Sequence, residues 1–396
     1  MTSNNPSLAK RIWLIILLGT ISATGPLSID LYLPALPEMT QALHTSASSM
    51  QLSLSACLLG LALGQLIAGP LSDKYGRKIP LIIGFLTFAL ASLLIAFSSS
   101  IYILIGLRFI QGLAGASGQV LSRAIARDLF SGPLLTQFYA MLSAVNGIFP
   151  VISPVIGGML VHYTGWQGIF MLLAVIGMIV VAAIILGLPE TLAVDQRVTG
   201  SSFTTILEMF KLLKKWSFVR LLIIAGLIYG ALFSYISASS FVFQTDFHMS
   251  VGAFSLLYAV NGIAIALGSA LPGRLSKHYS LSGQTWFAFM SATSLSVILV
   301  ISSLWYQNLV LVIALIFLIL IMVGMLLTTI TSIVMNSNST NSGGTSALLG
   351  VSQNTISSLM APIVGLMGTH TYLPMAVTLL CCCLGGSWLL RLATKK

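Results

Sequence analysis

Gly69-Pro70-Leu71-Ser72-Asp73-Lys74-Tyr75-Gly76-Arg77-Lys78 is a charged hairpin set between two long apolar runs. A worn copy, Gly273-Arg274-Leu275-Ser276-Lys277-His278-Tyr279-Ser280, follows at an offset of 204 residues, about half the chain. Gly, Leu, Ser and Tyr recur in register. A repeat this long marks a duplicated domain and not a solenoid. Two related halves built from apolar helices are a mark of secondary transporters.

The rest of the composition agrees. Of 396 residues, 57% are apolar and 7% charged, against about 25% charged in ordinary soluble domains. So little charge could not clothe a soluble surface, and the chain reads as a polytopic membrane protein. A bilayer admits helices or closed barrels. Barrel strands are short and alternate in polarity, whereas these apolar runs reach about 20 residues, the length of a membrane-crossing helix. The net charge of +10 invites a nucleic-acid reading, but its placement argues against one. The four cysteines have no metal or redox spacing: Cys57 is alone and Cys381, Cys382 and Cys383 are consecutive. No metal or cofactor is expected, and there is no cleavable signal pattern.

Twelve spans are predicted, at 12–36, 47–70, 80–97, 101–126, 136–160, 167–188, 218–243, 250–272, 284–303, 309–334, 345–368 and 374–392. Lys and Arg then fall in alternate loops. The opposite loops, near 37–46, 98–101, 161–166, 244–249, 304–308 and 369–373, contain neither. Positive charge marks the cytoplasmic side, so both termini are expected there. The four histidines outside (His44, His162, His248, His370) read as solvated. Two six-helix halves, 1–188 and 217–396, are joined by a linker over 189–216. In that linker Phe203, Ile206, Leu207, Phe210 and Leu213 recur at helical spacing, and Thr205 to Glu208 fits a capping box. A short interfacial helix is predicted there, an ordinary linker being the alternative.

Two charges lie deep. Asp30 sits about six residues before the outer end of span one, and Arg108 about seven after the outer start of span four, so both lie roughly 10 Å below the outer surface. Each is costly alone, by about 2.5–3.5 kcal/mol. Equal depth suggests a shared site, with Asp30 as a titrating carboxylate held near Arg108; a static ion pair is the alternative. At 100° per residue Gly19, Ala23, Pro26, Asp30, Pro34 and Pro37 share one side of span one. Arg108, Gln111, Gly112, Gly115, Gln119, Ser122 and Arg123 form a polar stripe on span four. The repeat offset puts Ser234 opposite Asp30 and Val312 opposite Arg108, so proton chemistry is expected to be confined to the first half. Candidate substrate contacts are Gln111, Gln119, Asn146, Tyr229, Phe233, Tyr235, Tyr258, Asn261, Gln353 and Asn354, with helix packing as the alternative for the aromatics. Such a lining suits a moderately polar, uncharged small molecule.

At the charged hairpin, Gly76 suits a turn that other residues resist. Asp73 is placed to latch onto the helix N-terminus that follows the neutral stretch 336–344, where unpaired N–H groups carry partial positive charge.

The motifs add a resemblance. Gly69, Leu71, Asp73, Gly76, Arg77 and Lys78 look like the signature loop of the major facilitator superfamily. Arg108-Phe109-Ile110-Gln111-Gly112 resembles its R-x-x-Q-G motif. Pro154-Val155-Ile156-Gly157-Gly158 resembles the end of its antiporter motif, with Ser153 where Gly is usual. Ser28-Ile29-Asp30-Leu31-Tyr32-Leu33-Pro34-Ala35-Leu36-Pro37 is similar to the first helix of the Bcr/CflA drug-resistance transporters, drug:proton antiporters. The resemblance implies an all-α fold of twelve helices in two homologous halves. It also implies a gating bond from Arg77 to Asp128, and Pro154, Gly157 and Gly158 as antiporter elements. Related antiporters carry a second acid further in on helix one; the nearby polar position here is Ser22, which leaves proton handling to Asp30.

The expectation is a proton-driven exporter of small drug-like molecules in a bacterial inner membrane, working as a monomer with protons, substrate and lipid as its partners and no nucleic acid. Export of a metabolite such as an amino acid or peptide is the alternative. No H-E-x-x-H or G-x-S-x-G pattern supports an enzyme, and a passive channel would leave Asp30 and Arg108 without a coupling role.

Overall fold

The computed structural model describes residues 8–198, 209–337, 342–368 and 371–394. It is almost wholly helical. In chain order the helices are α1 Leu8–Asp30, α2 Leu36–Ala42, α3 Ala47–Tyr75, α4 Lys78–Ala96, α5 Ile101–Leu129 and α6 Gly132–Gly187. There follow α7 Trp216–Phe241, α8 Val251–Leu275, α9 Leu281–Trp305, α10 Leu309–Ser337, α11 Ser342–Leu366 and α12 Leu373–Thr394. A 56-residue α6 would run about 84 Å if straight, far more than a bilayer is thick. It is two spans joined at Gly165, whose φ of 67° and ψ of −177° break the helix. From α7 on, helix and span numbers coincide.

The ends follow local chemistry. Helix α1 stops where Pro34 and Pro37 approach; Leu33–Ala35 is a 3-10 turn, and α2 begins with Pro37 in its first turn. Ser46 caps α3, accepting from Ser49 N at 3.1 Å, and Ser250 caps α8, accepting from Ala253 N at 3.2 Å. Ser46 and Ser250 are themselves one repeat offset apart. The packing repeats as well. In the first half α3 packs on α5, α4 on α5 and α6, and α1 on α6; in the second, α8 packs on α10, α9 on α10 and α12, and α7 on α11 and α12. The halves meet along two seams, α3 with α11 and α6 with α8. These exchange under the same repeat.

Small residues let the backbones close. A Cβ at Gly112 would collide with the Cys57 carbonyl on α3, and one at Gly157 with the Leu31 carbonyl just after α1. The apolar residues left on the outside, such as Ile83, Leu90, Ile179 and Leu186, form the surface a lipid core requires. Lys74, Arg77, Lys78, Arg127, Arg197, Lys214 and Arg274 all gather at one end of the bundle, here called the basic end. Of the predicted linker helix, Phe203, Thr205, Ile206, Leu207 and Glu208 lie outside the described residues. Beyond them Phe210 is exposed, and Leu212–Lys214 forms a 3-10 turn leading into α7.

Candidate functional site

Asp30 is the last residue of α1 and is 7% exposed. Arg108, on α5, is fully buried. They do not pair; the ion pairs of Arg77 with Asp73 and Asp128, and of Arg197 with Glu190, lie instead at the basic end. The reason is helical phase. Ser28 and Asp30 are two residues apart, about 200° around α1. Arg108 lies on the Ser28 side. Its Nη1 donates to the Ser28 carbonyl at 3.1 Å and to Gln111 Oε1 at 2.5 Å. Its guanidinium carbon sits 4.4 Å from the Tyr32 ring centre and 5.8 Å from that of Phe170. Nε and Nη2 have no hydrogen-bond partner among the described residues. Desolvated cation–π contacts are worth about 2 kcal/mol, so aromatic faces replace much of what a carboxylate would supply.

Asp30 faces the other way, into the second half. Tyr258 on α8 donates its hydroxyl to Asp30 Oδ1 at 3.3 Å, long for an O–H···O bond. Tyr258 stacks on Tyr235 of α7, with ring centres 5.9 Å apart and planes at 19°. Asn261 Nδ2 donates to the Tyr235 hydroxyl at 2.8 Å, and Asn261 Oδ1 is buried without a partner among the described residues. Three of the predicted substrate contacts are thus one hydrogen-bonded and stacked group beside the buried acid. The hydrogen-bond partner of Asp30 thus lies in the second half, which the repeat offset could not indicate because it compares sequence positions and not faces.

More bonds cross between the halves on this same side. Ser48 Oγ donates to the Gly365 carbonyl at 2.6 Å and Gln51 Nε2 to the Ser237 carbonyl at 3.1 Å. Ser240 Oγ donates to the Leu33 carbonyl at 2.7 Å and Gln244 Nε2 to the Pro34 carbonyl at 3.2 Å. Toward the basic end, among the described residues, Arg123 Nη1 lies at the long distance of 3.5 Å from Ser346 Oγ. The halves are sealed at the far end.

The remaining candidates divide. Gln111 is removed from any substrate face: fully buried, it accepts from Arg108 and donates to Ser92 Oγ on α4 at 2.7 Å. Gln119 accepts from Gln65 Nε2 at 2.8 Å and is partly exposed. Tyr229 stacks on Phe233 at 6.4 Å, and Gln353 and Asn354 are half-buried on α11. The side chain of Asn146 lies outside the described residues. Pro154 is buried, Gly157 faces the Leu31 carbonyl just after α1, and Gly158 abuts Ser255 of α8, so this stretch of α6 is pressed between both halves. Ser153, where Gly is usual, donates to the Phe149 carbonyl.

At the basic end Arg77 is 3% exposed and organises the hairpin. Its Nε meets Asp128 Oδ2 at 2.9 Å, as the resemblance implied, and its Nη1 reaches Asp73 Oδ1 at 2.5 Å and Ser72 Oγ at 2.7 Å. The Asp73 carboxylate is therefore spent on Arg77 in this conformation and not on the start of α11. Gly69 lies near Val120 with room to spare. Gly76 has φ 87°, and a Cβ there would strike Glu190. Glu190 was missed in the sequence. It lies beyond α6, and its carboxylate accepts from Arg77 N at 2.8 Å, Lys78 N at 3.1 Å, and Thr191 and Leu192 N at 3.0 Å. Burial opposes its charge, but these four N–H donors outweigh that and hold its pKa below the usual range. A Pro-Glu-Thr run after a span carries no signal by itself; its partner is 112 residues away in sequence.

The model of the Major Facilitator Superfamily matches residues 16–362. The uncharacterized MFS-type transporter YdgK of Bacillus subtilis is 38% identical over 374 residues, 94% of this chain and 93% of its own. A bicyclomycin resistance protein homolog of Haemophilus influenzae is 30% identical over 260 residues, 66% of this chain and 65% of its own. In fold, the chain is similar to a bacterial homolog of the human lysosomal transporter Spinster in its inward-facing, occupied conformation, with TM-score 0.77 at 14% identity over 98% of each chain. These likenesses are to transporters and not to enzymes. The chain therefore belongs to the major facilitator superfamily, and among its relatives stands a homolog of the bicyclomycin-resistance transporters whose first helix it resembles.

Proposed function

We propose that this protein exports small, uncharged drug-like molecules across the bacterial cytoplasmic membrane in exchange for protons, by alternating access. The observation that carries the reading is the placement of Asp30. A buried carboxylate at the meeting of two halves, bonded to the second half, converts a change of protonation into a change in how the halves hold together. Arg108 keeps a fixed positive charge nearby without neutralising Asp30. Asn261 Oδ1, Tyr235 and Tyr258 offer hydrogen bonding and ring faces to a neutral molecule bearing hydroxyl or amide donors. The relative's name adds bicyclomycin as the first compound to try. On this reading the basic end is cytoplasmic, both termini lie there, and the far end seals against the outside.

The test is Asp30→Asn, which keeps size and hydrogen bonding but cannot release a proton. Uphill efflux into an imposed pH gradient should fall to background in vesicles, with the protein still inserted. If Asp30→Asn still pumps uphill, Asp30 is not the proton carrier and the reading fails. A drug-susceptibility panel in a host lacking its own pumps separates drug export from export of a metabolite.

A further inference from the structure

Tyr258 and Tyr235 lie side by side, yet their hydroxyls do different things. Tyr235 is occupied within the second half, by Asn261. Tyr258 alone reaches across to the buried acid. The other groups around Asp30 do not compete for it. Arg108 and Tyr32 lie on the opposite face of α1. From α6, Gly157 meets the Leu31 carbonyl next to Asp30, and the stretch around it, Pro154 to Gly158, has no titratable side chain. The bond also lies on the same side of the molecule as the bonds from Ser48, Gln51, Ser240 and Gln244 that seal the far end.

We propose that Tyr258 is a positioning residue for proton coupling: by donating to ionised Asp30 it ties the halves together and holds the empty, proton-free carrier in the state sealed at the far end. The inference rests on the proton-exchange reading above. A hydrogen bond to a charged acceptor is roughly twice as strong as one between neutral groups. The tie is therefore firm when Asp30 is ionised and slack when it is protonated. Protonated carrier is free to switch. Ionised carrier switches only when a substrate entering between Asp30, Tyr258 and Asn261 takes over their hydrogen bonds. Return of the carrier with neither proton nor substrate, which would drain the gradient, is blocked.

Tyr258→Phe removes the hydroxyl and keeps the ring that stacks on Tyr235. Two readouts are taken on the full-length protein in liposomes, with no substrate present. One is the infrared C=O band of the protonated Asp30 carboxyl, followed as pH is varied and assigned by its loss in Asp30→Asn. The other is proton entry after a pH jump, read with an entrapped pH dye. In Tyr258→Phe the midpoint of the band should move up by about one pH unit, because a donor to the charged form is gone, and proton entry should rise several-fold over the parent. Tyr258→Gln supplies an amide N–H in place of the hydroxyl and should stay close to the parent in both. An unchanged midpoint with tight vesicles in Tyr258→Phe overturns the inference, and so does a Tyr258→Gln variant that shifts and leaks as much as Tyr258→Phe. In either case a titrating Asp30 band leaves the proton-exchange reading standing. A band that does not titrate in the parent removes both.

Discussion

At the scale of single residues, polar groups in this fold are placed by helical phase as much as by depth. Burial was legible in the sequence: Asp30 and Arg108 are both buried. Their pairing was not, because a 200° turn along α1 separates the carboxylate from the carbonyl that Arg108 takes. Aromatic rings holding a cation leave little trace in a sequence already rich in aromatic residues. Glu190 was equally hidden, since two of its ligands, the backbone N–H groups of Arg77 and Lys78, lie 113 and 112 residues away in the chain. Its role is testable by pH. A carboxylate held below its unfolded value stabilises the fold fully above that value, about 4.3, and loses this contribution as pH falls through its folded value. Glu190→Gln should therefore melt lower than the parent at pH 7, by about 2 °C, and the gap should vanish on acidification. Thermal melts in detergent at a series of pH values read this directly. A gap independent of pH would show that the charge is not what matters.

At the scale of helices, apolar run length predicted most spans to within a few residues, because a bilayer of fixed thickness leaves little freedom; the first, predicted over 12–36, breaks at Asp30, where Pro34 and Pro37 end the helix. The one merger, α6, came from continuity through Gly165, where the chain turns back within a few residues. What run length does not reveal is closeness of approach. Gly157 reads as part of an antiporter motif; in the structure its missing side chain lets α6 lie against the Leu31 carbonyl, next to Asp30. Gly157→Leu should force these helices apart, a clash of backbone against side chain that costs about 3 kcal/mol or more. The expected outcome is a large loss of monodisperse protein after detergent extraction. Gly147→Leu, on the same helix with open space around its Cα, should extract like the parent. Equal losses from both would mean that leucine is tolerated nowhere on α6, and the close approach would explain nothing.

At the scale of the whole molecule, the 204-residue offset anticipated more than two halves. It relates the capping serines Ser46 and Ser250, the helix pairings within each half, and the two seams that join them. The repeat breaks where the function is proposed, at Asp30 and Arg108, which have Ser234 and Val312 as counterparts. A duplicated scaffold with asymmetric chemistry could be read from sequence; which half would hold the acid's partner could not, since a seam between halves has no sequence neighbourhood. The orientation of the scaffold is testable with tags. Reporters at residue 2, within 195–200 and at 396 should signal cytoplasm, and one near His162 should signal the outside. A cytoplasmic signal near His162 would overturn the twelve-span topology.

The aromatic seat of Arg108 has an electrical consequence. A guanidinium does not deprotonate in proteins, so with Asp30 ionised Asp30 and Arg108 together sum to zero, and with Asp30 protonated to plus one. On the proposed exchange, trading one proton for an uncharged cargo carries net charge in every turnover. The membrane potential drives that step, at about 2.3 kcal/mol per charge for each 100 mV. Such a carrier is a small current source. Adding a neutral cargo to protein adsorbed on a solid-supported electrode should give a transient whose sign follows the proton. A cargo bearing one positive charge should leave the electrode silent.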